Sequence, residues 1–276
     1  MSVWLPTAPC SRACVGDPSG TVRVPRAALR LAALLAVLLV GVVALPLGRW
    51  LPARWVRLFA RAVVRTTGVR TRLTGGTPPG GGLLIVANHI SWMDIPLLAA
   101  VRPARMVAKR EIRGWPVAGF LTARAGVIFI DRDRLRALPG TVARLAGVLR
   151  SGGAVTVFPE GSTWCGRAGG TFRRAAFQAA LDAGVPVQPV RIGYRLPDGA
   201  VSTAPAFVGD DTLLAALWRV VCARRIEAHV TVLPVLAAGA HRERGALARA
   251  AEEAVGGRVR AAEPRGRAHV PSARLK

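Results

Sequence analysis

The chain has 276 residues, 39 Lys+Arg against 15 Asp+Glu, a formal net charge of +24 and 51% hydrophobic residues. A disordered basic chain would be poor in apolar residues, so disorder throughout is excluded, and the length suits one large domain with extensions. Of the four cysteines (Cys10, Cys14, Cys165, Cys222), Cys10 and Cys14 look like half a zinc site, but no second pair follows. A disulfide scaffold or zinc fold is therefore not expected, and a reducing compartment fits better.

The positive excess points to nucleic acid, anionic lipid or a phosphorylated substrate. Only Lys109 and Lys276 are lysines in this Ala-, Gly-, Val- and Pro-rich chain, so a GC-rich coding bias accounts for part of the charge. Residues 1–75 hold 11 basic residues and one acid, Asp17. Within them, 1–25 reads as a basic disordered tail and 26–68 as membrane-anchoring helices. Residues 31–48 carry no charge. As a helix they would span roughly 27 Å against a hydrocarbon core of about 30 Å, which suits a segment that crosses or one that dips into a single leaflet. The arginines on both sides give no orientation signal. In 50–65, Arg54, Arg57, Arg61 and Arg65 share one helical face, opposite Leu51, Trp55, Leu58, Phe59, Ala62 and Val63. That is the pattern of a helix lying in a membrane interface.

From Val69 the period changes. A turn-rich TPPGGG hinge at 77–82 is followed by short apolar runs at 83–87, 106–108, 127–130, 155–158, 185–192 and 229–235. Helical stretches at 92–101, 115–124, 135–150, 171–182 and 212–223 separate them. Alternating strands and helices predict an α/β domain over 69–236, with a mostly parallel sheet flanked by helices. Residues 237–276 read as a basic C-terminal helix, about 241–254, and a disordered tail.

Asn88, His89, Ser91 and Asp94 follow the apolar run 83–87 directly. A histidine at the C-terminal end of a strand stands where α/β sheets place active sites. In one continuous helix, residues five apart lie about 140° out of line. His89 and Asp94 can meet only if His89 is in the loop and Asp94 in the first helical turn, as Ser91 as cap and Pro96 near the start allow. A carboxylate on one imidazole nitrogen fixes the tautomer and leaves the other nitrogen as a general base. The same Ser91–Asp94 spacing also makes an ordinary capping box. Glu160, Gly161, Ser162 and Thr163 follow the apolar run at 154–158, where Pro159 and Gly161 force a turn whose backbone could hold an oxyanion or phosphate. Lys109 and Arg132 leave two further strands as candidate phosphate ligands, or as surface charge. The segment 185–190 reads as a buried, proline-interrupted strand of structural purpose.

Four ordered blocks resemble the glycerolipid acyltransferase family typified by 1-acylglycerol-3-phosphate acyltransferase. They are Asn88/His89/Ser91/Asp94, Gly126/Phe129/Ile130/Asp131/Arg132, Phe158–Pro159–Glu160–Gly161, and 185–190. The resemblance covers about 50–235. It implies transfer of a fatty acyl group from acyl-CoA or acyl carrier protein to the free hydroxyl of a lysophospholipid, 1-acyl-sn-glycerol-3-phosphate first, in phospholipid biosynthesis, with no metal or other cofactor. His89 would be the base and Asp94 its orienting partner. Gly161 and its neighbours would hold the oxyanion, and Arg132 the acceptor's phosphate. Lys109, Glu160, Ser162 and Thr163 would complete the substrate site. The family's third block carries Arg where this chain has Thr163. That departure weakens lysophosphatidate as acceptor and opens a headgroup-bearing lysophospholipid or lyso-ornithine lipid. Arg167, Arg173 and Arg174 are candidate substitutes. The expected location is the cytoplasmic face of the plasma membrane, against an anionic lipid surface. A nucleic-acid-binding protein is disfavoured, because aromatic content is 5% and the charge flanks apolar segments. A non-enzymatic membrane protein on this fold would not need both His89 and Asp94.

Overall fold

The computed structural model describes residues 8–16, 21–22, 24–47, 51–110, 114, 126–131 and 135–257. Among these, seven strands form one sheet in the order β1-β7-β6-β2-β5-β3-β4. They are β1 (Val69–Gly75), β2 (Leu83–Ala87), β3 (Arg105–Lys109), β4 (Ile128–Ile130), β5 (Ala154–Val157), β6 (Val187–Arg195) and β7 (Ile226–Val232). Every neighbouring pair is parallel except β6–β7, so the expected mostly parallel sheet is present. The helices are α1 (Val24–Ala44), α2 (Ala53–Thr66), α3 (Asp94–Val101), α4 (Leu138–Arg150), α5 (Ala175–Ala183), α6 (Leu213–Cys222) and α7 (Arg244–Gly256). The helix expected at 115–124 lies outside the described residues.

β2 shows how the layers arise. All five residues of Leu83–Ala87 are buried, and alternate side chains of a strand face opposite sides. Leu83, Ile85 and Ala87 join one core with Val64, Met93, Leu97, Leu98, Ile192, Tyr194 and Val220, under α2, α3 and α6. Leu84 and Val86 join a second core with Val142, Leu145, Leu149, Phe177, Leu247 and Ala251, under α4, α5 and α7. Strands buried on both faces read as continuous apolar runs, which is why 83–87 is recognisable in the sequence.

β1 departs from the sequence expectation, while β6 and α7 stand where a proline-containing buried strand and a C-terminal helix were expected. β1 (VRTRLTG) has a single buried residue, Val69, and has no apolar run. β6 runs through Pro189, with Gln188 Nε2 donating to Pro189 O and Leu233 O. α7 is integral to the second core, and its Glu252 accepts from Phe172 N at 2.8 Å. Residues 8–16, expected within a disordered tail, lie against the α/β core. Gly16 N donates to Thr203 Oγ1 at 2.8 Å, and Cys10, Cys14 and Val15 pack on the first core.

α1 and α2 form an antiparallel hairpin. Phe59 packs against Gly41 where a Cβ would fill its place, and Arg30 lies beside Gly68. Arg30 Nη1 also donates to Val221 O and Ala223 O, both at 2.7 Å, and so ties α1 to the end of α6. α1 is long and apolar enough to cross a membrane by length and composition, and Leu35, Leu39, Val40 and Val43 lie exposed along it.

Candidate active site

β2 and β5 are adjacent and parallel, so the segments following them emerge side by side at the same sheet edge. From β2 come Asn88 and His89. Asn88 Nδ2 donates to Ile192 O at 2.9 Å and its Oδ1 accepts from Ile192 N at 2.8 Å. The amide thus continues the ladder to β6 where the strand itself ends, and fixes the point from which His89 departs. Asp94 opens α3 and is fully buried. His89 Nδ1 lies 2.8 Å from Asp94 Oδ2, the loop-to-helix meeting the spacing required. The same oxygen accepts from Ile90 N at 2.6 Å and Ser91 N at 2.8 Å. Ser91 Oγ accepts from Met93 N and Ser91 O from Asp94 N, so the turn that leads into α3 also holds the His89–Asp94 contact. With a carboxylate on Nδ1, that nitrogen carries the proton and Nε2 is left basic.

The other carboxylate oxygen has a partner that sequence reasoning missed. Tyr194 OH donates to Asp94 Oδ1 at 2.6 Å. It is the chain's single tyrosine and is 2% exposed. Burial first, and then the adjacent Asp94 charge, hold its phenol well above the ordinary range. Its signal in the sequence was faint: a lone tyrosine at the end of the strand after 185–190.

From β5 come Phe158 and the loop after it. The Phe158 ring stacks on His89, centroids 3.9 Å apart and 10° from parallel. Glu160 is buried, and its two oxygens accept from His89 N at 2.7 Å and Gly170 N at 2.9 Å. The carboxylate therefore braces the backbone of the histidine. Burial pushes its carboxyl up to about 7, the His89 and Gly170 donors oppose this, and the Asp94 and Glu252 charges add to it. Gly161 takes a φ of +74°, and its N–H closes a turn onto Phe158 O. Thr163 Oγ1 donates to Phe207 O, Phe207 N donates to Ile90 O at 2.9 Å, and Trp164 N donates to His89 O at 2.8 Å. Ser162 and Thr163 are half-buried on this loop, and Arg167, Arg173 and Arg174 are exposed beyond it. Lys109 ends β3, the neighbour of β5, at the same edge. Arg132 lies outside the described residues, while Asp131 before it pairs with Arg110 at 2.9 Å.

The Acyltransferase family model matches residues 68–193, the span holding His89, Asp94, Glu160 and Lys109. A lyso-ornithine lipid O-acyltransferase of Pseudomonas aeruginosa is 40% identical over 240 residues, covering 79% of this chain and 89% of the relative. The chain belongs to the acyltransferase family. It is an acyltransferase by that membership. A 1-acyl-sn-glycerol-3-phosphate acyltransferase of Neisseria meningitidis is 35% identical over 174 residues, 63% of this chain and 68% of the relative. The crystal structure of the 1-acyl-sn-glycerophosphate acyltransferase from Thermotoga maritima has the same fold. Its TM-score is 0.62 at 19% identity, and the match covers 87% of this chain and 99% of that one.

Proposed function

We propose that this acyltransferase moves a fatty acyl group from a thioester, acyl-CoA or acyl carrier protein, to the hydroxyl of a lysolipid of the lyso-ornithine type. The observation that carries the acceptor is Thr163, which stands where lysophosphatidate enzymes of the family have a phosphate-binding arginine and whose hydroxyl is turned onto Phe207 O. An ornithine headgroup presents a carboxylate and an ammonium and has no phosphate monoester to lose. The 40% identity to the Pseudomonas lyso-ornithine lipid enzyme, across nearly all of it, supports the same choice. This reverses the order of acceptors expected from the sequence. The second reading, 1-acyl-sn-glycerol-3-phosphate, is favoured by the 35% identity to the Neisseria enzyme.

In the mechanism, His89 Nε2 removes the acceptor's hydroxyl proton. The alkoxide attacks the thioester carbonyl, the C–O bond forms and the C–S bond breaks, and the imidazolium returns its proton to the thiolate leaving group. Asp94 holds His89 by its Nδ1 at 2.8 Å and stabilises the imidazolium. No step in this sequence uses a metal or other cofactor.

The reaction takes place at a membrane surface. α1 is about 31 Å long at about 1.5 Å per residue, but α2 returns antiparallel beside it and Arg30 is fastened to α6. This geometry supports a hairpin that enters one leaflet from the side of the catalytic domain, which we propose lies at the cytoplasmic face. Trp55, Leu58 and Phe59 of α2, and Leu213, Leu214 and Trp218 of α6, continue the exposed apolar surface.

The deciding experiment offers lyso-ornithine lipid, lysophosphatidate, lysophosphatidylcholine and lysophosphatidylethanolamine to the detergent-purified protein with one labelled acyl-CoA. Lyso-ornithine lipid should have the highest kcat/KM, and a preference for lysophosphatidate overturns the acceptor. His89→Ala should lose a factor of about 10³ or more in kcat while remaining folded. Near-normal turnover in that variant would falsify the mechanism.

A further inference from the structure

Three of the chain's four cysteines meet outside the His–Asp site. The sulfurs of Cys10, Cys14 and Cys165 all lie within 4.8 Å of one another, although 150 residues of chain separate the first pair from the third. Cys10 and Cys14 are brought together by the short 3-10 turn Arg12–Cys14, closed by Cys14 N donating to Ser11 O at 3.0 Å. Their spacing, Cys-x3-Cys, falls within the range zinc sites use for one half of a ligand set. Cys165 is buried, and its N–H points to Cys10 Sγ at 3.4 Å. The turn after it passes through Gly166 at φ +88°. Backbone donors on a sulfur are the outer contacts that orient a metal-bound thiolate.

We propose that Cys10, Cys14 and Cys165 form a three-thiolate site for one thiophilic d10 cation, zinc or copper(I), which fastens the segment before α1 to the loop after β5. Tetrahedral zinc–sulfur bonds of about 2.3 Å put sulfurs about 3.8 Å apart, so closing the site takes a contraction of roughly 1 Å or less. All three donors are soft, which selects these metals over magnesium or calcium. Each thiol releases its proton to solvent on binding. With zinc the unit carries one net negative charge, and the adjacent Arg12 and Arg167 are exposed. Copper(I) is satisfied by three sulfurs, whereas zinc takes water as a fourth ligand.

The position gives the ion a structural purpose. Cys165 follows Trp164, whose N–H holds His89 O, and the same loop carries Glu160. Segment 8–16 also bonds Thr203 through Gly16 N and approaches Gly209. One cation would thus clamp the lead-in to the membrane hairpin onto the floor of the active site. This departs from the cofactor-free expectation of the sequence, because the third ligand lies far along the chain.

The test uses the full-length protein, purified in detergent without chelator and under reducing conditions, and analysed for metal by mass spectrometry. Wild type and Cys222→Ser should hold about one equivalent of zinc or copper, and Cys165→Ser should hold nearly none. Which metal is found assigns the cation. Wild-type protein stripped with chelator should show a thiolate-to-cadmium absorption band that saturates at about one equivalent of added Cd²⁺. This measurement stands even if the serine variants fail to fold. No metal in wild type together with no saturable cadmium band overturns the proposal. So does a thiol count in denaturant showing two cysteines joined as a disulfide.

Discussion

At the scale of single residues, His89, the proposed base, is held by groups buried in the core: Asp94, Glu160 and, through Asp94, Tyr194. Asp94 is a fully buried carboxylate held by His89 Nδ1, two backbone N–H groups and the Tyr194 hydroxyl. An ionised carboxylate survives burial only with such compensation. Tyr194→Phe removes one charge-assisted bond, a loss of about 1.5–3 kcal/mol to the Asp94 anion, or roughly 10- to 100-fold in kcat. A fall in kcat with KM unchanged is expected, and a rise in KM alone or a loss of folding would make Tyr194 a packing residue only. Glu160 gives a second prediction. Its carboxyl is raised from 4.5 to about 7 in the fold, so the folded protein binds that proton more tightly than the unfolded chain. This group's contribution is fully favourable below 4.5 and is lost as pH rises through about 7, a span worth roughly 3 kcal/mol. Glu160→Gln should flatten that decline, seen as a smaller difference in melting temperature between acidic and neutral buffer. It should also cost about 1–3 kcal/mol, since its NH₂ faces a backbone donor. The His89–Asp94 pair was legible because both residues lie within one turn. Glu160 was expected in the substrate site, but its bond to His89 N was not foreseen and Tyr194 was missed, since these bonds reach across 71 and 100 residues.

At the scale of elements, burial on two faces decided what could be read. β2 and β5 are buried throughout and their apolar runs coincide with the strands within a residue. β7 alternates buried and half-buried residues, and the charged Glu227 near its start shifted the expected strand by three residues. β1 is an edge strand whose Arg72 makes a bidentate pair with Glu227 on β7, at 2.6 and 3.2 Å. Its pairing is visible only from the partner, so periodicity could not reveal it. β1 ends at Gly75, with φ +94°, where an added Cβ would lie 1.9 Å from Val232 O. Gly75→Ala must both strain the backbone and push off β7, so it should destabilise by about 1–3 kcal/mol or more. A thermal shift of several degrees with the His89–Asp94 chemistry intact is expected. No shift would mean that the β1–β7 end is free to separate.

At the scale of the whole molecule, the charge of +24 resolves into a geometry that composition could not supply. α2 has three faces. Ala60, Val63 and Val64 are buried on the domain, Trp55, Leu58 and Phe59 are exposed apolar groups, and Arg54, Arg57, Arg61 and Arg65 form the third side. The sequence showed two of these faces, since packing against the domain and packing against lipid demand the same residue types. A helix so divided can hold the catalytic domain, lipid tails and anionic headgroups at once. The arginine face should therefore set how tightly the enzyme engages a charged bilayer, leaving the apolar hairpin to hold a neutral one. Each basic group near an anionic surface is worth about 1 kcal/mol, so Arg54→Gln/Arg61→Gln/Arg65→Gln should weaken the engagement on the order of a hundredfold. The measurement is acyl transfer to lysolipid in phosphatidylcholine vesicles with and without phosphatidylglycerol. The triple variant should lose the rate advantage conferred by the anionic lipid and its sensitivity to salt, while matching wild type on neutral vesicles. An equal loss on both vesicle types would assign these arginines to folding or to substrate, and would overturn their role at an anionic surface.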